Sequence, residues 1–203
     1  FGSERRRLRI VKMRGIKFRG GYHDLVLETG GIQVFPRLVA AEHHADFDPA
    51  GKSTGSAELD LLLGGGLVPG AVILLAGEPG IGKSTLLLDV AGRTARAGKD
   101  VLYISGEESA AQVRLRGERI EAMARTLYLA AETDLATVLA QIEQVDPGLL
   151  IVDSVQTIAS ADIEGAPGNV SQIREVAASI IQVAKEKNIA TLLVGHVTKD
   201  GSI

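Results

Sequence analysis

Gly77-Glu78-Pro79-Gly80-Ile81-Gly82-Lys83-Ser84-Thr85 has the form G-x-x-x-x-G-K-[ST], and its flanks restrict what can be built around it. Val72 to Ala76 before it is a short apolar run that reads as a buried strand, and Lys83 to Ala97 after it carries apolar residues at helical spacing. A strand feeding a glycine-containing turn that opens a helix is the setting in which backbone amides curl around phosphate oxygens. There Lys83 neutralises the β and γ phosphates, Ser84 offers its hydroxyl to Mg²⁺, and Thr85 points at the α phosphate. The expected ligands are ATP or ADP with Mg²⁺.

The pattern continues beyond the loop. Apolar strands are expected near Val101 to Ser105, Thr126 to Ala130, Leu149 to Asp153 and Ala190 to Val194, with helices near Ser109 to Met123, Leu135 to Val145 and Val170 to Glu186. Such alternation signals βαβ units and a parallel sheet, so the expected class is doubly wound α/β. Aromatics at 3% leave Val, Ile, Leu and Ala to fill the interior, as in a sheet covered by helices. Residues 6 to 39 differ: strand-like runs are punctuated by Gly20-Gly21 and Gly30-Gly31, the second pair reading as a tight hairpin turn. Residues 40 to 54 read as a linker. The expected organisation is a basic β-rich segment over 1–47 and an ATPase core over 48–203.

Cysteine is absent, which removes disulfides and thiolate zinc sites and fits a cytoplasmic location. No apolar run approaches the ~20 residues needed to cross a bilayer. The formal charge of −3 hides an asymmetry, because residues 1 to 24 carry a surplus of six positive charges on an otherwise acidic chain. A basic end can attract a polyanion or dock on an acidic neighbouring surface.

Three further groups bear on chemistry. Asp153 ends a buried apolar strand, where a carboxylate is costly unless a cation meets it, and Mg²⁺ beside Ser84 supplies that partner. Glu107, in Ser105-Gly106-Glu107-Glu108-Ser109, is the candidate base for activating water; the two acids equally suit a helix N-terminus capped by Ser109. His196 ends the last strand, where it could sense the γ phosphate or be structural, and Lys199 beyond it could reach phosphate or a polyanion. Ala159 to Gly168 suits a mobile loop.

With these motifs assembled, the approach to the P-loop, Ser53-Thr54-Gly55 with Glu58-Leu59-Asp60 and Leu63 to Gly70, resembles RecA-like ATPases of the KaiC and RadA type. Tyr103 to Ser109, Asp153-Ser154-Val155-Gln156-Thr157, Ala166 to Glu175 and Val194 to Ile203 resemble bacterial RadA, also called Sms. That resemblance implies a RecA-like fold and a DNA-dependent ATPase of recombination and repair, working as a hexameric ring on single-stranded DNA. It places Glu107 at the catalytic glutamate, His196 at the γ-phosphate switch and residues 159 to 172 at the first DNA-facing loop. Residues 5 to 43, by contrast, resemble the tail strands of a KaiC-like ATPase domain standing ahead of the core.

Against the family pattern, the four-cysteine zinc finger, the Lon-protease-like domain and the second DNA loop have no counterpart in these residues. The expectation is a core truncated before that loop, either a fragment of a tandem protein, a permuted chain, or one whose front strands pair with a neighbouring subunit. Alternative functions are a KaiC-like signalling module and a nucleotide-binding domain with little turnover. Ring ATPases borrow a positive finger from the adjacent subunit, for which Arg174 and Lys199 are the candidates.

Overall fold

A computed structural model describes residues 6–13, 21–28, 31–35, 53–63 and 65–196. Its elements in chain order are β1 (Arg6–Met13), β2 (His23–Glu28), β3 (Gly31–Phe35), α1 (Ala57–Leu62), β4 (Val72–Gly77), α2 (Lys83–Arg96), β5 (Val101–Ser105) and α3 (Ala110–Arg119). There follow β6 (Leu127–Ala131), α4 (Leu135–Val145), β7 (Leu149–Asp153), a single 3₁₀ turn (Val155–Thr157), α5 (Val170–Glu186) and β8 (Ala190–His196). The eight strands form one sheet in the order β3-β2-β1-β4-β8-β7-β5-β6.

The five strands β4, β8, β7, β5 and β6 are parallel, as the alternation of strand and helix predicts. Period-2 alternation assigns their side chains to two cores. Ile73, Leu75, Val101, Tyr103, Leu149, Ile151, Leu192 and Val194 pack on the α2 side with Leu86, Leu87, Val90 and Val113. Val72, Leu102, Ile104, Leu150, Val152 and Leu193 pack on the other side with Val138, Ile142, Val176 and Ile180 of α4 and α5. Helices therefore cover both faces, and the expected α/β, RecA-like class with a β-hairpin segment is borne out.

The front strands extend the sheet from the P-loop side. β1 pairs antiparallel with β4, setting Arg9 opposite Ala76 and Ile10 opposite Leu75, with a shift in register between Ile10 and Lys12. β2 and β3 pair antiparallel with Glu28 opposite Gly31, so Gly31 belongs to the strand rather than to the turn expected at Gly30-Gly31, and Gly30 lies outside the described residues. Leu8, Ile10, Leu25 and Val34 are buried in the α2-side core, so these strands share the interior of the parallel ones. Most of the expected linker lies outside the described residues.

Some boundaries differ from the sequence reading. α3 stops at Arg119 rather than Met123, because the chain turns left-handed at Glu121, φ 55°. The short α1 was not foreseen; the Ser56 hydroxyl accepts a hydrogen bond from Leu59 N at 3.3 Å and caps it.

α2 lies against the backbone of the segment following α3. A Cβ added at Gly92 would stand 2.6 Å from Ala122 Cα. Alanine there would gain about 1 kcal/mol of helix propensity, but forcing the backbones apart costs about 1–3 kcal/mol. We expect Gly92→Ala to lower the thermal midpoint by a few degrees in a circular-dichroism melt; a raised midpoint would refute this packing.

Candidate active site

Parallel pairing delivers four strand ends to one edge. Gly77 of β4 stands opposite His196 of β8, and Ser105 of β5 opposite Asp153 of β7. Ligands of open α/β sheets bind at the carboxyl ends of the strands.

The P-loop bridges β4 and α2. Gly80 and Gly82 have φ of 78° and 98°, conformations that L side chains rarely adopt. Gly82 is the N-cap of α2 and makes no side-chain cap hydrogen bond, which leaves the first amides of the helix directed at the edge. Glu78, Pro79 and Gly80 are exposed, while Ile81, Ser84 and Thr85 are half-buried.

Lys83 is 5% exposed. Its Nζ donates to Gly77 O and Glu78 O, each at 2.8 Å, and approaches His196 Nδ1 at 3.4 Å. Burial lowers the Lys83 pKa, while the Asp153 and Glu107 carboxylates oppose that shift. An ammonium has only protons to offer, so His196 Nδ1 accepts and its Nε2 carries the hydrogen. Nε2 donates to Glu107 Oε1 at 2.7 Å. The Ser154 hydroxyl donates to the same oxygen at 2.9 Å. Lys83, His196, Glu107 and Ser154 thus form one continuous chain of hydrogen bonds.

Glu107 and Glu108 divide the two readings of the acidic pair. Glu107 faces the edge, Glu108 pairs with Arg116 on α3, and Ser109 is the N-cap in a reciprocal capping box with Gln112. Gly106 sits tightly: its N–H donates to Asp153 O at 2.8 Å, and a Cβ added to it would lie 2.7 Å from Thr157 Cβ. Burial raises the Glu107 pKa, but the hydrogen bonds from Ser154 and His196 and the Lys83 charge outweigh it and leave the group below its ordinary value.

Asp153 is 5% exposed, and its Oδ2 accepts from Tyr103 Oη at 2.7 Å. Burial, followed by the Asp153 charge and hydrogen bond, pushes the Tyr103 phenol well up, so it remains a donor. The hard oxygen donors Ser84 and Asp153 suit Mg²⁺, which takes few protein ligands and completes its shell with water and phosphate oxygens. Among the described residues no group of three His, Cys, Asp or Glu is placed to hold a metal.

Arg174 is exposed on α5, and Lys199 lies outside the described residues. The loop expected to be mobile is tied to α5 by one buried side chain. Gln172 accepts from Ser160 N at 2.8 Å and donates to Ser160 O at 3.1 Å and Gly165 O at 3.2 Å. Tyr103 and Ser154 were missed as site residues. The available signals were a tyrosine in an aromatic-poor buried strand and a serine immediately after Asp153.

The residues matching the AAA domain family model run from 40 to 202. The chain belongs to that family. Over 152 residues it is 57% identical to the DNA repair protein RadA of Mycobacterium tuberculosis (strain ATCC 25618 / H37Rv), covering 74% of this chain and 32% of that protein. It is 54% identical over 154 residues to RadA of Mycolicibacterium smegmatis (74% and 33% covered) and 53% identical over 150 residues to RadA of Streptococcus pyogenes serotype M1 (74% and 33% covered). The resemblance to RadA read from the motifs is borne out, and the chain spans about a third of the length of the curated relatives it matches. No helix among the described residues is long and apolar enough to cross a membrane.

The Glu107 shift has a consequence for acid stability. Its folded pKa is lowered from 4.5, so its contribution is present above the unfolded value and is lost as pH falls through the folded one. In melts from about pH 6 to about pH 3, the wild type should lose more stability than Glu107→Gln. Parallel losses would show that Glu107 is not held as described.

Proposed function

We propose that this chain is the ATP-binding and ATP-hydrolysing core of a RadA-type, DNA-dependent ATPase. The observation that carries the reading is the hydrogen-bonded chain from Lys83 through His196 to Glu107, which connects a phosphate-binding lysine to a carboxylate able to orient water. The curated relatives are named DNA repair proteins, which supports the biological setting.

In this mechanism the triphosphate lies against the amides of residues 80 to 85 at the N-terminus of α2. Lys83 already uses all three of its protons, on Gly77 O, Glu78 O and His196 Nδ1, so engaging the γ phosphate exchanges one of these partners. When the exchanged partner is His196, its ring is released on one side while Nε2 still holds Glu107. His196 thereby senses the phosphate. Glu107 is ionised and uses Oε2 to orient the attacking water, because Oε1 is occupied by Ser154 and His196. Ser84 and Asp153 would hold Mg²⁺, which would supply positive charge against that developing on the phosphates.

Single-stranded DNA and a homo-oligomeric ring are the proposed partners. The exposed loop carries Asp162 and Glu164 and no basic residue, so contact with a phosphate backbone falls to its amides and to Arg174, or to Lys199. Arg174 and Lys199 are also the candidate fingers toward an adjacent subunit.

Phosphate release with and without single-stranded DNA, alongside gel filtration, tests the reading. Lys83→Ala should lose turnover and weaken nucleotide binding. Glu107→Gln should lower kcat by about 10²–10⁴-fold while still binding nucleotide. A wild type that binds ATP but hydrolyses none in any oligomeric state or with DNA would sink the ATPase reading.

A further inference from the structure

Two buried hydroxyls in the site are arranged reciprocally. Tyr103 on β5 donates to Asp153 Oδ2 at the end of β7, while Ser154, one residue past β7, donates to Glu107 Oε1, two residues past β5. The strands are direct neighbours with Ser105 opposite Asp153. β5 and the turn after it carry Tyr103 and Glu107, while β7 and the residue after it carry Asp153 and Ser154, so each contributes one carboxylate and the hydroxyl that holds the other's. Both hydroxyl residues are 0% exposed, so water does not compete for these bonds.

A terminal carboxylate torsion is broad and roughly two-fold, so an untethered group presents either oxygen. Tethering removes that choice. Among the described residues no side chain other than Tyr103 hydrogen-bonds the Asp153 carboxylate, and none hydrogen-bonds Glu107 Oε2. We propose that Tyr103 and Ser154 are reciprocal positioning residues: Tyr103 leaves Asp153 Oδ1 as the cation-facing oxygen, and Ser154 leaves Glu107 Oε2 as the water-facing one. This rests on the nucleotide-hydrolysing reading above. If the hydroxyls served only to satisfy buried polar groups, their removal would weaken fold and binding together. A positioning role instead divides the losses between two separate quantities.

Tyr103→Phe and Ser154→Ala delete one oxygen each. Calorimetric titration with ADP, in Mg²⁺ and in EDTA, reads metal-linked affinity; phosphate release at saturating ATP reads kcat; circular-dichroism melts on the same samples report the fold. Tyr103→Phe should keep the metal-free affinity and lose about tenfold of the magnesium-linked gain. Ser154→Ala should keep both affinities and lose about tenfold or more in kcat. An unchanged gain in Tyr103→Phe, an unchanged kcat in Ser154→Ala, or equal losses of every quantity in both variants overturns the proposal. With a normal wild type, those results count against this pair alone. A wild type with no magnesium-linked gain removes the nucleotide reading and the pair with it.

Discussion

Burial of one ammonium organises the edge of this sheet. Lys83 is nearly inaccessible, and taking a charge out of water is costly unless hydrogen bonds and opposite charge replace the solvent. Here two carbonyls of its own loop, a histidine acceptor and two carboxylates provide them. None of these partners is on α2 itself. The carbonyls come from the end of β4 and the loop after it, the histidine from β8, and the carboxylates from the ends of β5 and β7. The charge is tolerated only because the sheet brings four strands to the same edge.

Strand order explains why those four can meet. In the sequence, β5 is separated from β7 by α3, β6 and α4, yet in the sheet they are adjacent, and β8 lies between β7 and β4. Sequence-distant residues 83, 107, 153 and 196 thereby come within the span of a few strand spacings, each about 4.8 Å. The two faces remain free for packing, with helices α2 and α3 on one and α4 and α5 on the other. The site occupies the rim at the carboxyl ends of the parallel strands, where α2 begins.

Much of this was legible in the sequence because it rests on local rules. The P-loop is contiguous, and the parallel strands begin and end within a residue or two of the apolar runs that announced them. Asp153 ends β7 and Glu107 follows β5, at the strand ends where their places in the sequence put them. What could not be read was reciprocity across space. Nothing in the string Tyr103-Ile104-Ser105 indicates that its tyrosine reaches a residue fifty positions away, and that contact depends on β5 and β7 being neighbours in register. The division of Glu107 from Glu108 was equally hidden, since it requires Arg116 to come round on α3. Gln172, which the family resemblance put at the end of the DNA-facing loop, instead lies in α5, and its amide closes the preceding loop, which no local pattern announces.

The pairing of β1 with β4 follows from the same constraint. In the parallel set alone, the strand leading into the P-loop is an edge, and an edge presents unpaired amides and carbonyls and is free to twist or recruit another chain. Its final residue, Gly77, supplies one of the two carbonyls that hold Lys83. β1 runs antiparallel along β4 up to Ala76, so it fixes the strand immediately before that carbonyl, while Leu8 and Ile10 seal the α2 side beneath it. The same antiparallel course leaves Arg6 and Arg7 at the phosphate end of the sheet, with Arg7 paired to Asp24. Part of the charge asymmetry visible in the sequence is therefore placed at the rim that carries the P-loop, where Asp24 balances Arg7.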